Sequence, residues 1–157
     1  MKSRVSFSAR PKLTLWAVLV VVVVGTAVVA TMATAKEGHQ FRAGGDMWYV
    51  AKEDGWHVWS GVGYYSIDHK TYDQTSDSRF HVTGKKLVAY VTIITTETGD
   101  RIYYTTEMTR PDNRSEEWFG TYVITGGTGR FANATGSGTD GLPSATYPGG
   151  PIGTISF

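Results

Sequence analysis

The sequence predicts an all-β protein: a single antiparallel β-barrel of about eight strands, preceded by an N-terminal hydrophobic signal helix. Residues 36–157 hold 18 Gly, 17 Thr and 18 aromatic residues. Threonine and aromatic residues favour strands, and glycine favours turns and bulges. No segment of this part sustains the i, i+3, i+4, i+7 apolar spacing of a helix, whereas short alternating runs recur between turn residues. Many short strands in so small a domain are typical of a barrel or a compact sandwich.

Length, charge and cysteine content narrow the class of protein further. A chain of 157 residues has room for one domain and a short appendage. Without cysteine, disulfides, thiolate zinc sites and a cysteine nucleophile are excluded. Residues 36–157 carry 11 basic and 14 acidic residues, a net charge of −3. We therefore expect no nucleic-acid partner, because such partners require a basic surface.

Residues 1–35 have the pattern of a signal peptide. Four basic residues open the chain, Lys2, Arg4, Arg10 and Lys12, and residues 13–35 carry no charge. Ala33-Thr34-Ala35 matches the small-x-small pattern of signal peptidase and predicts cleavage after Ala35. The alternative is an uncleaved N-terminal anchor, because about 20 apolar residues suffice to span a bilayer. Both alternatives export the domain formed by residues 36–157, to the periplasm or the extracellular space, and the membrane is contacted only through the leader if it is uncleaved.

The strands can be assigned in chain order from their alternation and their turn residues. We predict strands at 47–52, 56–66, 78–83, 86–97, 101–109, 117–125, 131–139 and 152–157. The polar residues 68–77 predict a loop. Three prolines predict an irregular connection over residues 142–151.

One hairpin can be predicted in detail. If Gly99 and Asp100 form a two-residue loop, the numbers of opposed residues sum to 199, and Thr92 lies opposite Glu107. Strand alternation then gives one largely apolar face, whose members are ligand-cavity candidates because we expect them to point inward. These are Leu87, Ala89, Val91, Ile93, Ile102, Tyr104, Thr106 and Met108.

The opposite face of the same hairpin carries a weak catalytic candidate, Glu107, with Tyr90 and Thr92 beside it. A carboxylate in the cavity could act as an acid or base. If the apolar face lines the cavity instead, Glu107 is a solvated strand residue, and apolar interiors favour this alternative. The four histidines lack the spacing of a metal site, and no nucleophile motif is present, so no metal site is expected and no catalytic group is recognised.

A glycine-rich segment imitates a dinucleotide-binding turn. Strand residues lead into Gly126-Gly127-Thr128-Gly129, but the following residues are rich in Gly and Thr and cannot open the helix that a nucleotide site needs. We therefore predict a structural turn at Gly126, Gly127 and Gly129, with at least one positive φ, and we expect no cofactor.

The same segment carries a family resemblance. Residues 126–138 read Gly-Gly-Thr-Gly-Arg-Phe-Ala-Asn-Ala-Thr-Gly-Ser-Gly, and residues 98–104 read Thr-Gly-Asp-Arg-Ile-Tyr-Tyr. Together they resemble the allene oxide cyclase and dirigent barrel superfamily, and most closely its small exported bacterial members. The resemblance spans about residues 86–157. It implies an eight-stranded barrel with a mainly apolar interior and a cyclase, isomerase or stereochemical-guiding ancestry, and it transfers no catalytic residue.

Two functions are consistent with these observations. The first is an exported barrel without catalysis that binds a small apolar molecule or has a structural or surface role. The second is a cyclase or isomerase that acts on an apolar small molecule, as the resemblance implies. A homo-oligomer is compatible with either function.

Overall fold

The protein folds as a closed, eight-stranded antiparallel β-barrel, as the sequence predicts. The computed structural model describes residues 37–142 and 149–157, so the leader at residues 1–35 lies outside the described residues. The strands are β1 (His39–Glu53), β2 (Trp56–Ile67), β3 (Lys70–Thr83), β4 (Lys86–Thr95), β5 (Arg101–Thr109), β6 (Phe119–Gly127), β7 (Gly136–Gly141) and β8 (Ile152–Ile155). Each strand pairs with the next, and β8 pairs with β1 to close the barrel. Within the described ranges, no helix has the length and apolar character needed to cross a bilayer.

The predicted loop at residues 68–77 is wrong, because most of it belongs to β3. Strands β2 and β3 form a hairpin across Asp68 and His69, which have φ values of 47° and 70°. Positive φ at both central residues is the geometry of a two-residue hairpin turn. The strand is hard to recognise because Gln74 and Ser76, both buried, point inward where apolar residues are normally found.

The predicted register of the β4–β5 hairpin is also wrong. The sequence numbers of opposed residues sum to 195 instead of the predicted 199. Ile93 therefore lies opposite Ile102, and Glu107 lies opposite Val88 rather than Thr92. The connecting loop spans residues 96–99, and Gly99 within it has a φ of 74°. Because the displacement is an even number of residues, each side chain keeps its predicted face.

The glycine segment ends β6 and turns into a short 3-10 helix, Gly129–Phe131. Gly126 has a φ of 142° and Gly129 a φ of 58°, so two of the three predicted glycines have positive values. A Cβ at Gly129 would lie 1.7 Å from Asp100 Oδ1, which leaves room only for glycine. The predicted strand at 131–139 is wrong in its first half, because β7 begins at Gly136 after Phe131 has turned into the core.

The core consists of two clusters, one towards each end of the barrel. At the end that we call the Phe131 end, the cluster includes Phe41, Tyr65, Tyr122, Phe131 and Ile155. At the opposite end, which we call the Trp118 end, Leu87, Ala89, Met108 and Trp118 pack together. Arg130 covers the Phe131 end, where its guanidinium lies 4.4 Å from the centre of the Tyr72 ring and donates a hydrogen bond to the Tyr65 hydroxyl. The Phe131 end is thus filled with aromatic side chains.

Candidate functional site

The eight predicted cavity residues all lie on the inner face of β4 and β5. Seven of them are buried: Leu87, Ala89, Ile93, Ile102, Tyr104, Thr106 and Met108. Val91 is the exception, because it keeps an intermediate exposure although it faces inward. All eight side chains therefore face inward, and Val91 lies between the two core clusters and packs against both of them.

Trp118 fills much of the barrel at its own end. Its side chain is only 6 % exposed and packs with Leu87, Ala89 and Met108. The guanidinium carbon of Arg110 lies 4.7 Å from the centre of the Trp118 ring. Trp118 lies in the predicted strand 117–125, and its packing against the cavity candidates Leu87 and Met108 was not predicted from the sequence.

Among the inward-facing residues of β4 and β5, Val91 alone keeps an intermediate exposure. Across neighbouring strands Trp59 pairs with Ser78, Ser78 with Val91, and Val91 with Tyr104, and all four side chains face inward. Ser78 and Tyr104 are buried on either side of the partly exposed Val91. We call the inward-facing space bordered by these four residues the chamber. It is the candidate functional site.

Two polar atoms of the chamber wall lack a hydrogen-bond partner among the described residues. They are Trp59 Nε1 and Ser78 Oγ, and both are buried. Directly opposed residues on neighbouring antiparallel strands have Cβ atoms about 5 Å apart, so both groups border the same region of the interior. A buried donor or acceptor without a partner costs about 1–3 kcal/mol. A bound molecule that pairs with both atoms would recover this energy.

Ser78 belongs to a buried polar stripe along β3. Gln74 and Ser78 are 6 % and 4 % exposed, with buried Ser76 between them. Gln74 Nε2 donates to the backbone oxygen of Gly44 at 3.4 Å, while Gln74 Oε1 has no partner among the described residues. A Cβ at Gly61 would lie 2.8 Å from Ser76 Oγ, so a glycine on β2 makes room for the stripe. In the sequence, alternate residues from Tyr72 to Ser78 share one face of a strand. The segment was nevertheless predicted as a loop, because its inward-facing residues are polar.

Asp140 is a buried carboxyl group that the sequence analysis missed. It is 4 % exposed, and burial raises its pKa to about 6, although hydrogen bonds from the Thr106 hydroxyl and the Gly141 backbone N–H oppose the rise. Burial, and next the charge of Asp140, raise the pKa values of Tyr104 and Tyr122. Asp140 therefore lies within electrostatic reach of Tyr104, which borders the chamber. The sequence contains a hint of this position, because Gly136, Gly138 and Asp140 are alternate residues of β7 and therefore share one face of the strand.

The predicted catalytic candidates lie on the outer face of the barrel. Glu107 and Tyr90 are exposed, and Thr92 is half-buried opposite Tyr103. Glu107 lines a shallow outer cleft of about 280 Å³, together with Val88 and Thr121. The strand register does not bring Glu107, Tyr90 and Thr92 together. Glu107 is a solvated strand residue, which is the alternative that the apolar inner face favours.

An aromatic rim borders the chamber at the Trp118 end of the barrel. It is formed by side chains of β1, β2 and β3. Tyr49 contacts Trp59 with ring centres 6.0 Å apart, and His57 stacks on Phe80 at 5.8 Å. The Trp59 and Phe80 rings lie 5.4 Å apart. Tyr49 is paired with the inward-facing Trp59, so its side chain lies on the inner face of β1, but it is exposed. This side of the Trp118 end is therefore open to water. The rim provides an apolar entrance to the chamber.

A second concavity lies at the Phe131 end and differs in character. This open cleft of about 420 Å³ is lined by charged and hydroxyl groups, including Lys70, Tyr72 and Glu97. Burial acts to raise the pKa of Tyr72, but the hydrogen bond and charge of Arg130 lower it on balance. In the part of the chain that the structure describes, no three His, Asp or Glu side chains cluster as a metal site requires.

Comparison with known proteins identifies no relative: no family model, no curated protein and no solved structure matches this chain.

Proposed function

We propose that the protein is an exported β-barrel that binds a small, mainly apolar molecule in the chamber and performs no catalysis. The observation that carries the proposal is the pair of unpartnered buried atoms, Trp59 Nε1 and Ser78 Oγ, beside the partly exposed Val91. Buried polar groups in folded proteins are nearly always hydrogen-bonded, so two such atoms without a protein partner favour a bound molecule. The leader at residues 1–35 supports export.

The surroundings of the two atoms support a ligand that is apolar over most of its length. Val91 offers apolar surface that is still exposed, and each Å² of apolar surface removed from water contributes about 25 cal/mol. An eight-stranded barrel is just wide enough to hold one small ligand. A molecule entering past Tyr49 and Phe80 would bury its apolar body and present a polar group to Trp59 and Ser78.

Thermal unfolding with uncharged apolar compounds tests this proposal. We expect saturable stabilisation of the wild type by 2-undecanone, about 2.7 kcal/mol at 100 times Kd, because the ligand binds only the folded state. Val91→Phe fills the chamber and should abolish the stabilisation while the barrel stays folded. Val123→Phe, on the exposed outer face, is the matched control and should retain it. If no ketone, alcohol or arene stabilises the wild type, a structural or surface role is the better interpretation.

A cyclase or isomerase acting on an apolar small molecule is the second candidate function, and one observation favours it. Asp140 is buried beside Tyr104 and Tyr122 with its pKa raised to about 6, which suits a group that exchanges protons near neutral pH. In D₂O, the Asp140 carboxylate would remove a proton from the carbon next to a bound ketone and return a deuteron. We expect deuterium incorporation into 2-undecanone to be lost in Asp140→Asn and retained in Glu107→Gln. An equal rate in both variants would exclude Asp140 as the base.

A further inference from the structure

The open cleft of about 420 Å³ at the Phe131 end carries charges of both signs, and we call it the polar cleft. Lys70, at the start of β3, lines it together with Asp73 of the same strand and Glu97 of the loop between β4 and β5. None of these three side chains forms an ion pair with a residue of the described ranges. We propose that the polar cleft binds a small zwitterion, such as an amino acid, with the ligand carboxylate at Lys70 and the ligand ammonium at Glu97.

The cation of the polar cleft is held in place by an aromatic ring. The Lys70 ammonium nitrogen lies 5.2 Å from the centre of the Tyr72 ring, within the range of a cation–π contact. Tyr72 in turn stacks on buried Tyr65, with ring centres 5.0 Å apart and ring planes 16° apart. A donor that is already oriented loses less conformational freedom on binding, so Lys70 is suited to receive a carboxylate.

The hydroxyl of Tyr72 is a second donor for the ligand carboxylate, because Tyr72 also lines the polar cleft. The Arg130 guanidinium carbon lies 4.4 Å from the centre of the Tyr72 ring. Arg130 itself donates to the Tyr65 hydroxyl and lies 3.8 Å from the Asp100 carboxylate. Burial acts to raise the pKa of Tyr72, but Arg130 lowers it on balance, which makes the Tyr72 hydroxyl a stronger donor.

The loop that carries Glu97 is fixed by backbone hydrogen bonds. The amide of Gly99 donates to the carbonyl of Thr95 at 2.8 Å, which closes the loop. The amide of Thr96 donates to the carbonyl of Asp73 at 3.0 Å, which ties the loop to β3. Two carboxylates from separate segments of the chain therefore line one cleft. An ammonium group has three donors and no acceptor, so it suits such a wall.

A ligand of a single charge would match only part of the polar cleft. An anion would meet Lys70 but also two carboxylates, whereas a cation would meet the carboxylates but also Lys70. A zwitterion pairs with both signs, and complementary charges fix the orientation in which a ligand binds. Lys70 and Glu97 are exposed, so each ion pair contributes up to about fivefold in affinity, and tight binding needs both.

A series of unbranched amino acids from glycine to 6-aminohexanoate tests the inference at neutral pH. We would titrate each compound against the protein and follow the backbone ¹H–¹⁵N resonances of Thr96 and Glu97. We expect saturable shifts of these resonances. The tightest-binding zwitterion should bind about fivefold more tightly than either singly charged analogue, the carboxylate without the amine and the amine without the carboxylate.

Two variants assign the ends of the ligand. Lys70→Gln should lower the affinity for the zwitterion about fivefold, to that of the amine analogue. Glu97→Gln should lower it to that of the carboxylate analogue. Lys52→Gln and Glu107→Gln make the same chemical changes at exposed positions of β1 and β5, outside the polar cleft, and should leave the affinity unchanged.

Three outcomes would contradict the inference. If a singly charged analogue binds as tightly as the zwitterion, or if either Lys70→Gln or Glu97→Gln leaves the affinity unchanged, the assignment of a zwitterion is wrong. If no member of the series shifts the loop resonances, the polar cleft is not a binding site. None of these outcomes bears on the chamber, because the chamber and the polar cleft share no residue.

Discussion

Trp118→Ala is expected to lower the free energy of unfolding by about 3–5 kcal/mol, the range for removing a large buried aromatic side chain. The loss is large because the indole fills the barrel between Leu87, Ala89 and Met108 and is only 6 % exposed. The barrel walls are hydrogen-bonded into a closed ladder and cannot collapse onto the vacated space. Urea denaturation of the variant and the wild type measures the difference.

Trp48→Ala is the matched control for this prediction, because it deletes the same side chain from the outer face, where Trp48 is 49 % exposed. We expect it to cost less than about 1 kcal/mol. The variant at Trp118 should also accept ligands bulkier than the wild type accepts, because the vacated space adjoins the chamber. Equal losses for the two variants would show that Trp118 does not fill the barrel end as described.

The barrel and its inner face were predictable from the sequence because strand alternation is a local property. Leu87, Ala89 and Ile93 share one parity in β4, and each is buried as that parity requires. The register of the β4–β5 hairpin was not predictable by the same reasoning. A shift by four residues places apolar side chains opposite apolar side chains in both arrangements, so the pattern cannot distinguish them, and the four-residue loop that ends at Gly99 decides between them.

The chamber was only half predictable, for a physical reason. The rule that apolar residues point inward finds the wall formed by β4 and β5, but it reads the wall formed by β3 as a loop, because Gln74, Ser76 and Ser78 are polar. It also discounts Asp140, since an unpaired buried carboxylate is costly. The residues that depart from the rule are the ones that give the chamber its polar chemistry, as expected where function competes with stability.

Asp140→Asn is expected to be more stable than the wild type at pH 7.5 by up to about 3 kcal/mol. The pKa of Asp140 is about 6 in the folded protein against 3.8 for an aspartate side chain in an unfolded chain, and each pKa unit corresponds to about 1.4 kcal/mol. Because the folded state holds the proton more tightly, the stabilisation from protonation is fully present below pH 4 and is lost as the pH rises through 6. The asparagine carbonyl can still accept from the Gly141 N–H, which now donates to Asp140 Oδ1 at 2.8 Å.

The test of this prediction is the pH dependence of stability, measured by urea denaturation between pH 4 and 7.5. As the pH rises over this range, ionisation of Asp140 should lower the free energy of unfolding of the wild type. Asp140→Asn should lack this loss, so the free energies of unfolding of the two proteins should diverge as the pH rises. Glu107→Gln makes the same chemical change on the exposed face of β5 and should follow the wild type. If Asp140→Asn runs parallel to the wild type at every pH, the carboxyl group titrates alike in the folded and unfolded states.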